Sequence, residues 1–247
     1  MIPIRDENPN ILVPYATISI IVINCLAWVF VQGMGTEPAL SNSVCVFALV
    51  PGELLGVIPP GAYFPAGPDV ACQAGAATAW HTLITSMFMH GGWLHLLGNM
   101  WFLWIFGNNV EDAMGPARFI IFYVLCGLLA AALQIMLTIN PELPMVGASG
   151  AIGGVMGAYI LLYPRVKVIL LIFLGFFVTT ISVPAILMLG YWFLLQLLGG
   201  LSSVTSTGGG VAFWAHIGGF VGGAILVNLF RDRELLNRHP YHGWRSR

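Results

Sequence analysis

Residues 147–157 read G-A-S-G-A-I-G-G-V-M-G, and this stretch decides how the chain can fold. It is apolar apart from Ser149, and its glycines recur four residues apart. Faces of small residues let two helix backbones approach closely in a membrane. Residues 215–223, A-H-I-G-G-F-V-G-G, carry the same spacing. We therefore expect the two segments to pack together and to bring Ser149 close to His216.

The composition indicates an integral membrane protein. Of the 247 residues, 58% are hydrophobic and only 8% are charged, whereas a soluble domain carries about a quarter charged residues. The net charge of -1 argues against a nucleic-acid partner. The first apolar run, 15–31, is too long for a cleavable signal and is expected to be a membrane span.

Six segments are long and apolar enough to be predicted as helices. We therefore expect an all-α fold, a polytopic bundle of six transmembrane helices at 15–230. A short segment, 1–14, precedes the bundle and a basic tail, 231–247, follows it. The apolar run 168–178 is too short to span a bilayer, so it is expected in the connection before the fifth helix. The six segments are 15–32, 93–108, 117–139, 149–163, 183–199 and 211–230.

The basic residues predict the orientation of these spans. All nine lie on one side of the predicted bundle, and the positive-inside rule makes that side cytoplasmic. Both termini are then cytoplasmic, and helices two, four and six enter from the opposite face. The nine residues are Arg5, Arg118, Arg165, Lys167, Arg231, Arg233, Arg238, Arg245 and Arg247.

Ser149 stands where the fourth helix is expected to begin. Gly147 allows a sharp turn before it, and Gly150 leaves the hydroxyl uncrowded. The free N–H groups and positive dipole end of a helix N-terminus stabilise an oxyanion formed there. The alternative is that Ser149 is one more small residue in a helix interface.

His216 is the expected partner of Ser149. A hydroxyl facing an imidazole is the minimum equipment for a nucleophile with its own base. Gly219 and Gly223, on the same helix, supply the small face that allows the approach. The alternative for His216 by itself is a neutral core histidine bonded to a carbonyl or hydroxyl. No intramembrane Asp or Glu is placed to orient it, so we expect a dyad rather than a triad.

The second predicted helix adds two hydrogen-bond donors. His95 and Asn99 are four residues apart and share one helix face. If they face Ser149, they can hold the oxyanion of a tetrahedral intermediate; the alternative is a polar pair that links helices. His90 precedes the helix and is interpreted as structural support for the loop. The histidine spacing matches no zinc motif, so we expect no metal.

Together these motifs resemble the rhomboid family of intramembrane serine proteases. In family order, the chain contains H-G-G-W-L-H-L-L-G-N at 90–99, G-N-N-V-E-D-A-M-G-P-A-R-F at 107–119, G-A-S-G at 147–150, Y-P-R-V at 163–166 and A-H-I-G-G-F-V-G-G at 215–223. The resemblance covers nearly the whole predicted six-helix region.

The resemblance implies Ser149 as the nucleophile and His216 as the general base and acid. It implies His95, Asn99 and the Ser149 amide as oxyanion donors. The family cleaves transmembrane protein substrates near one membrane face, without metal or cofactor. We accordingly expect a lipid-embedded, multi-pass endopeptidase, placed in a bacterial inner (plasma) membrane.

The chain departs from the family pattern beside the site. Members often place an aromatic ring four residues after the serine, stacked on the histidine, and this chain has Gly153 there. Either Phe213 or Trp214 supplies a ring instead, or the orientation of His216 is looser than in the family. The alternative function is a catalytically weak or inactive rhomboid-like protein that binds membrane-protein clients. The retention of both Ser149 and His216 favours the protease.

Four cysteines are present, without a C-x-x-C motif. Cys45 and Cys72 both lie in the long first loop, and whether they form a disulfide is left open by the sequence.

Overall fold

Six long helices form the core of the described structure. The computed structural model describes residues 2–67, 70–75, 79–175, 177–203 and 211–241. Each apolar segment predicted as a helix is helical, with small differences at the ends. The long helices are α1 (Tyr15–Phe30), α5 (Trp93–Asp112), α6 (Pro116–Leu137), α7 (Ser149–Leu162), α8 (Ala185–Ser203) and α9 (Phe213–Phe230); the short ones are α2 (Ala39–Phe47), α3 (Pro51–Leu54), α4 (Thr82–Thr85) and α10 (Arg233–Arg238).

Three of the described helices, α6, α8 and α9, are long and apolar enough to cross a bilayer. The apolar helices α1 and α7 are shorter, with 16 and 14 residues, and α5 has 20 residues but ends in two carboxylates. A mostly helical membrane fold is thus confirmed, whereas the number of six spans stays a prediction.

Helix α7 occupies the centre of the bundle. Its residues from Gly150 to Tyr159 are all buried, and it lies against α5, α6 and α9. The four glycines and two alanines of α7 have so little side chain that neighbouring backbones can approach on several sides. The site residue Ser149 is therefore positioned by the most enclosed helix of the fold.

The prediction of an all-α fold was incomplete, because two small antiparallel sheets accompany the helices. The apolar run 168–178 belongs to a hairpin, which pairs with a strand at the N-terminus. A continuous apolar run does not by itself distinguish a strand from a helix. The strands are β1 (Ile2–Asp6), β4 (Lys167–Leu174) and β5 (Phe177–Pro184) in one sheet, and β2 (Tyr63–Gly67) and β3 (Val70–Gln73) in the other.

A disulfide between Cys45 and Cys72 joins α2 to β3. The sequence left this pairing open. The bond closes a stretch of 27 residues, which limits the conformations of the unfolded loop.

The described basic residues gather at the end of the bundle opposite the start of α7. Arg5 lies in β1 and is paired with Ile169 of β4, the strand that begins at Lys167. Arg118, in the first turn of α6, forms an ion pair of 3.2 Å with Asp232, which follows α9. The clustering agrees with the predicted segregation of charge, and the assignment of that end to the cytoplasm stays a prediction.

Two carboxylates at the end of α5 accept hydrogen bonds from backbone amides at and before the start of α1. The Glu111 carboxylate accepts hydrogen bonds from the amides of Ala16 and Thr17, at 2.9 and 2.8 Å, and from the Thr17 hydroxyl at 2.8 Å. Asp112 accepts from the amides of Ile11 and Leu12. The first amides of a helix have no partner within it, and negative charge is favourable there. The end of α5 thereby caps α1.

We expect Glu111→Ala to lower the free energy of unfolding by roughly 3 kcal/mol or more, because it leaves several buried donors without an acceptor. Glu111→Gln keeps one acceptor oxygen and should lose less. Thermal unfolding in one detergent measures both effects, with Glu142→Ala as the control because Glu142 is exposed. Equal melting temperatures for Glu111→Ala and this control would contradict the capping role.

Asp6, at the end of β1, is a further carboxyl group at this end of the bundle with an unusual environment. Burial raises the pKa of the Asp6 carboxyl from 3.8 to about 6, and a hydrogen bond donated by the Tyr159 hydroxyl opposes the shift without cancelling it. The folded chain therefore binds the Asp6 proton more tightly than the unfolded chain. Its stabilising contribution is present below about pH 4 and is lost as the pH rises through about 6.

We expect the stability difference between wild type and Asp6→Asn to depend on pH. From pH 4 to pH 7, wild type should lose up to about 3 kcal/mol relative to the variant, which has no carboxyl at position 6 to titrate. Melting curves of both proteins across this range measure the difference. A constant difference at every pH would show that Asp6 titrates as in the unfolded chain.

Candidate active site

The loop before α7 delivers Ser149 to the site. Met145 exchanges two backbone hydrogen bonds with Leu49, of 3.0 and 2.8 Å, and the Gly147 amide donates to the Ser86 carbonyl at 2.9 Å. Gly147 has a φ of +120°, a conformation that residues with a side chain rarely adopt. A Cβ there would lie 2.6 Å from His95 Nε2. Glycine at this position therefore allows both the turn into α7 and the approach of α5.

Helices α7 and α9 are in backbone contact. A Cβ on Gly219 would lie 1.9 Å from the Gly150 carbonyl oxygen, and a Cβ on Gly223 would lie 2.0 Å from the Gly154 carbonyl oxygen. Gly150 faces α6 as well, because its Cβ would lie 2.7 Å from Ala130 Cβ. These separations leave no room for a side chain between α7 and α9.

The close approach places Ser149 and His216 in hydrogen-bond contact. His216 Nε2 lies 2.8 Å from Ser149 Oγ. Ser149 is the first residue of α7, and His216 lies in the first turn of α9. Residues separated by 67 positions in the chain thus form the pair that a serine nucleophile and its base require.

The second nitrogen of His216 has a partner that the sequence did not predict. His216 Nδ1 lies 2.8 Å from Gln196 Oε1, and Gln196 Nε2 donates to the Trp192 carbonyl at 3.4 Å. An amide oxygen only accepts, so the ring proton sits on Nδ1 and the lone pair on Nε2 faces Ser149. The available signal for Gln196 was an amide within an otherwise apolar helix, where polar groups are costly.

The ring beside His216 also comes from α8. The Trp192 and His216 ring centroids are 5.8 Å apart, at an interplanar angle of 37°. Among the described residues this contact takes the place of the expected ring from Phe213 or Trp214. A side chain at position 153 would be tightly crowded by α9, because a Cβ there would lie 3.0 Å from the His216 carbonyl oxygen.

His95 and Asn99 face the same space from α5. His95 Nδ1 accepts a hydrogen bond from the Gly91 amide at 3.3 Å, so the ring proton of the neutral imidazole is on Nε2. This nitrogen lies beside Gly147, next to Ser149. Asn99 Nδ2 is buried and has no protein partner among the described residues. Two donors are therefore available on the Ser149 side of the cavity.

His90 anchors the segment before α5 through hydrogen bonds of its backbone with Gln32. It is fully buried, its amide donates to Gln32 Oε1, and its carbonyl accepts from Gln32 Nε2, both at 2.8 Å. Its ring meets the edge of His95 with centroids 5.1 Å apart. His90 thus contacts a cavity residue without itself lining the cavity.

One cavity of about 910 Å³ connects these groups, and it is open to the exterior. Most of its lining residues are apolar or glycine, and they come from several helices and from the loop before α7. Its polar lining includes His95, Asn99, Gln134, Ser149 and His216. In the described part of the chain, no three His, Cys, Asp or Glu side chains group as metal ligands do. That no metal takes part stays a prediction.

The fold and this site define a class of protein, a polytopic helical membrane protein with a serine–histidine pair at the base of an open cavity. The family model described as Rhomboid domain matches residues 77–233, well over half of the chain. The chain belongs to the rhomboid family.

Similar curated proteins come from bacteria and from organelles. Rhomboid protease GluP of Bacillus subtilis (strain 168) is 33% identical over 146 residues, covering 58% of this chain and 25% of GluP. Rhomboid-like protein 11, chloroplastic, of Arabidopsis thaliana is 31% identical over 155 residues, covering 60% and 52% of the two chains. Rhomboid protein 1, mitochondrial, of Saccharomyces cerevisiae (strain ATCC 204508 / S288c) is 28% identical over 159 residues, covering 62% and 42%. The matches span about a quarter to a half of these relatives.

We expect Gly219→Ala to force α7 and α9 apart and to cost about 3 kcal/mol, because the added methyl overlaps the Gly150 carbonyl. Gly190→Ala on α8 is the matched control. A Cβ there has no neighbour within 4 Å, and alanine favours a helix by up to about 1 kcal/mol. Thermal unfolding of both variants measures the effect. Equal stability of the two variants would show that α7 and α9 tolerate a wider spacing.

Proposed function

We propose that the protein is an intramembrane serine endopeptidase that hydrolyses peptide bonds of transmembrane substrates with Ser149 and His216. The observation that carries the proposal is the 2.8 Å contact between Ser149 Oγ and His216 Nε2, at an open cavity within an apolar helix bundle. The similarity to GluP, which is named a rhomboid protease, supports the same reaction class.

In the first half of the reaction, Ser149 Oγ attacks the carbonyl carbon of the scissile peptide bond while its proton passes to His216 Nε2. The tautomer set by Gln196 leaves Nε2 free to accept this proton. The tetrahedral intermediate then collapses, the C–N bond breaks, and His216 returns the proton to the leaving amine. The acyl group remains as an ester on Ser149.

The developing oxyanion needs donors on the side of the cavity opposite His216. His95 Nε2–H and Asn99 Nδ2–H lie on the α5 side, and Ser149 is the first residue of α7, whose amide is not used inside the helix. Donors arranged in advance around a developing charge are worth about 3 kcal/mol each in lowering the barrier.

In the second half, water attacks the ester carbon. His216 accepts the water proton and then returns a proton to Ser149 Oγ as the new carboxyl product leaves. The open cavity supplies a route for water to a depth that apolar helices otherwise exclude. No step of this sequence requires a metal or an organic cofactor.

The substrate and the orientation follow from the membrane setting. A substrate must enter from the lipid and present an extended segment, so transmembrane helices with small residues that unwind readily suit this site. Positive charge clusters at the end opposite Ser149, which supports a cytoplasmic location of both termini and of the tail from 231. The bacterial plasma membrane stays a prediction, since similar proteins are also chloroplastic and mitochondrial.

The proposal is tested with purified protein in liposomes and a fluorescent single-span helix that carries Ala and Gly at one membrane boundary. We expect wild type to cleave it, and we expect Ser149→Ala and His216→Ala each to lower the rate by at least about a thousandfold. A tagged fluorophosphonate should label the wild-type serine and should not label Ser149→Ala.

Thermal unfolding and Ser202→Ala are the controls, since Ser202 is an exposed serine outside the site. Cleavage that survives in both site variants would refute the dyad. A wild-type protein that neither cleaves the helix nor reacts with the probe would support the rhomboid-like binding protein instead.

A further inference from the structure

Gln196 is a buried polar group that the Ser149–His216 pair alone does not explain. Only 9% of its surface is exposed. It lies near the middle of α8, a mostly apolar helix with few buried residues. Placing an amide inside an apolar helix requires compensating hydrogen bonds. Its oxygen accepts a hydrogen bond from His216, and its nitrogen donates one to the backbone carbonyl of Trp192, the residue whose ring lies beside His216.

We propose that Gln196 is the positioning residue of the catalytic histidine, and that it makes the dyad depend on the place of α8; this inference rests on the proposed function. The contact between Gln196 Oε1 and His216 Nδ1, at 2.8 Å, selects the tautomer whose Nε2 faces Ser149. The opposite tautomer would direct a proton, rather than a lone pair, at the serine hydroxyl, and the base would be lost.

A neutral amide suits this location better than the carboxylate of a triad. When Ser149 transfers its proton, His216 becomes positively charged, and the dipole of the Gln196 carbonyl stabilises that charge. A carboxylate would do so more strongly. However, it would carry a full charge at membrane depth before the reaction starts, which is expensive in an apolar bundle.

Trp192 is a second residue of α8 that contacts His216, so the position of His216 depends further on the position of α8. Trp192 precedes Gln196 by one helical turn, so both side chains reach His216 from the same face. Helix α7 has glycine at position 153, which supplies no ring to His216 and where a side chain would be tightly crowded by α9. The buried residues of α8 are few: Ala185, Leu189, Gln196 and Gly200. An outward displacement of α8 would therefore remove the acceptor and the ring together.

The first test compares Gln196→Met and Gln196→Glu in liposomes with the fluorescent helix used for wild type. Methionine keeps the length and has no acceptor of comparable strength; a glutamic acid side chain keeps the C=O. We expect Gln196→Met to lower kcat by about 10- to 100-fold, the value of a hydrogen bond to a charged group, with KM within about twofold. Gln196→Glu should recover most of the lost kcat.

Leu195→Met is the matched control, since Leu195 adjoins Gln196 and is 43% exposed. Its kcat should equal that of wild type. A Gln196→Met enzyme with wild-type kcat would overturn the proposal. So would a loss that Gln196→Glu fails to recover, since this is what a merely structural role predicts.

The second test does not depend on cleavage. In protein labelled with 15N-histidine, NMR in membranes reports which ring nitrogen carries the proton, and the signal of His216 is assigned by its loss in His216→Ala. We expect the Nδ1–H form alone in wild type and a mixture in Gln196→Met. Identical spectra would overturn the positioning role even if wild type proves active, whereas the expected spectra with an inactive wild type would refute only the proposed protease.

Discussion

The backbone contact between α7 and α9 is the constraint on which the rest of the structure depends. In a bilayer the hydrophobic effect does not draw apolar helices together, so association relies on close packing. The Gly150 and Gly154 carbonyls occupy the volumes that side chains at positions 219 and 223 would need. This spacing brings His216 to within 2.8 Å of Ser149. A wider interface would leave two isolated polar groups in an apolar bundle, which costs free energy and offers no chemistry.

Polar groups elsewhere in the bundle follow the same rule that each buried group needs a partner. Glu111 satisfies the first amides of α1, and Gln32 exchanges two hydrogen bonds with the backbone of His90. Several described residues depart from this rule, among them Trp28, Tyr123 and Asn99, each with a buried side-chain polar atom that has no protein partner. Of these three, only Asn99 lines the cavity. An unpaired donor that lines a cavity is what a site for a developing negative charge requires.

His216 joins a rigid part of the fold to a less enclosed one. On one side its Nε2 meets Ser149 at the start of α7, the central helix. On the other side its Nδ1 and its ring meet Gln196 and Trp192 of α8, which buries few residues. Segments with few buried contacts open at lower free energy than the core. The geometry of the His216 imidazole is therefore only as stable as the docking of α8.

Apolar length and small-residue spacing are local properties, and they sufficed to predict the long helices and the pairing of two glycine faces. The motifs also singled out Ser149, His216, His95 and Asn99, which the structure brings to one cavity and whose catalytic roles stay predictions. The sequence by itself also determined that Gly147 permits the turn into α7, since its φ is open to glycine alone. Only the tertiary structure decided that 168–178 forms a hairpin, that Cys45 bonds to Cys72, and that Gln196 and Trp192 complete the surroundings of His216. These depend on which faces of distant segments meet, and that follows from packing across the whole bundle rather than from the pattern of any one segment.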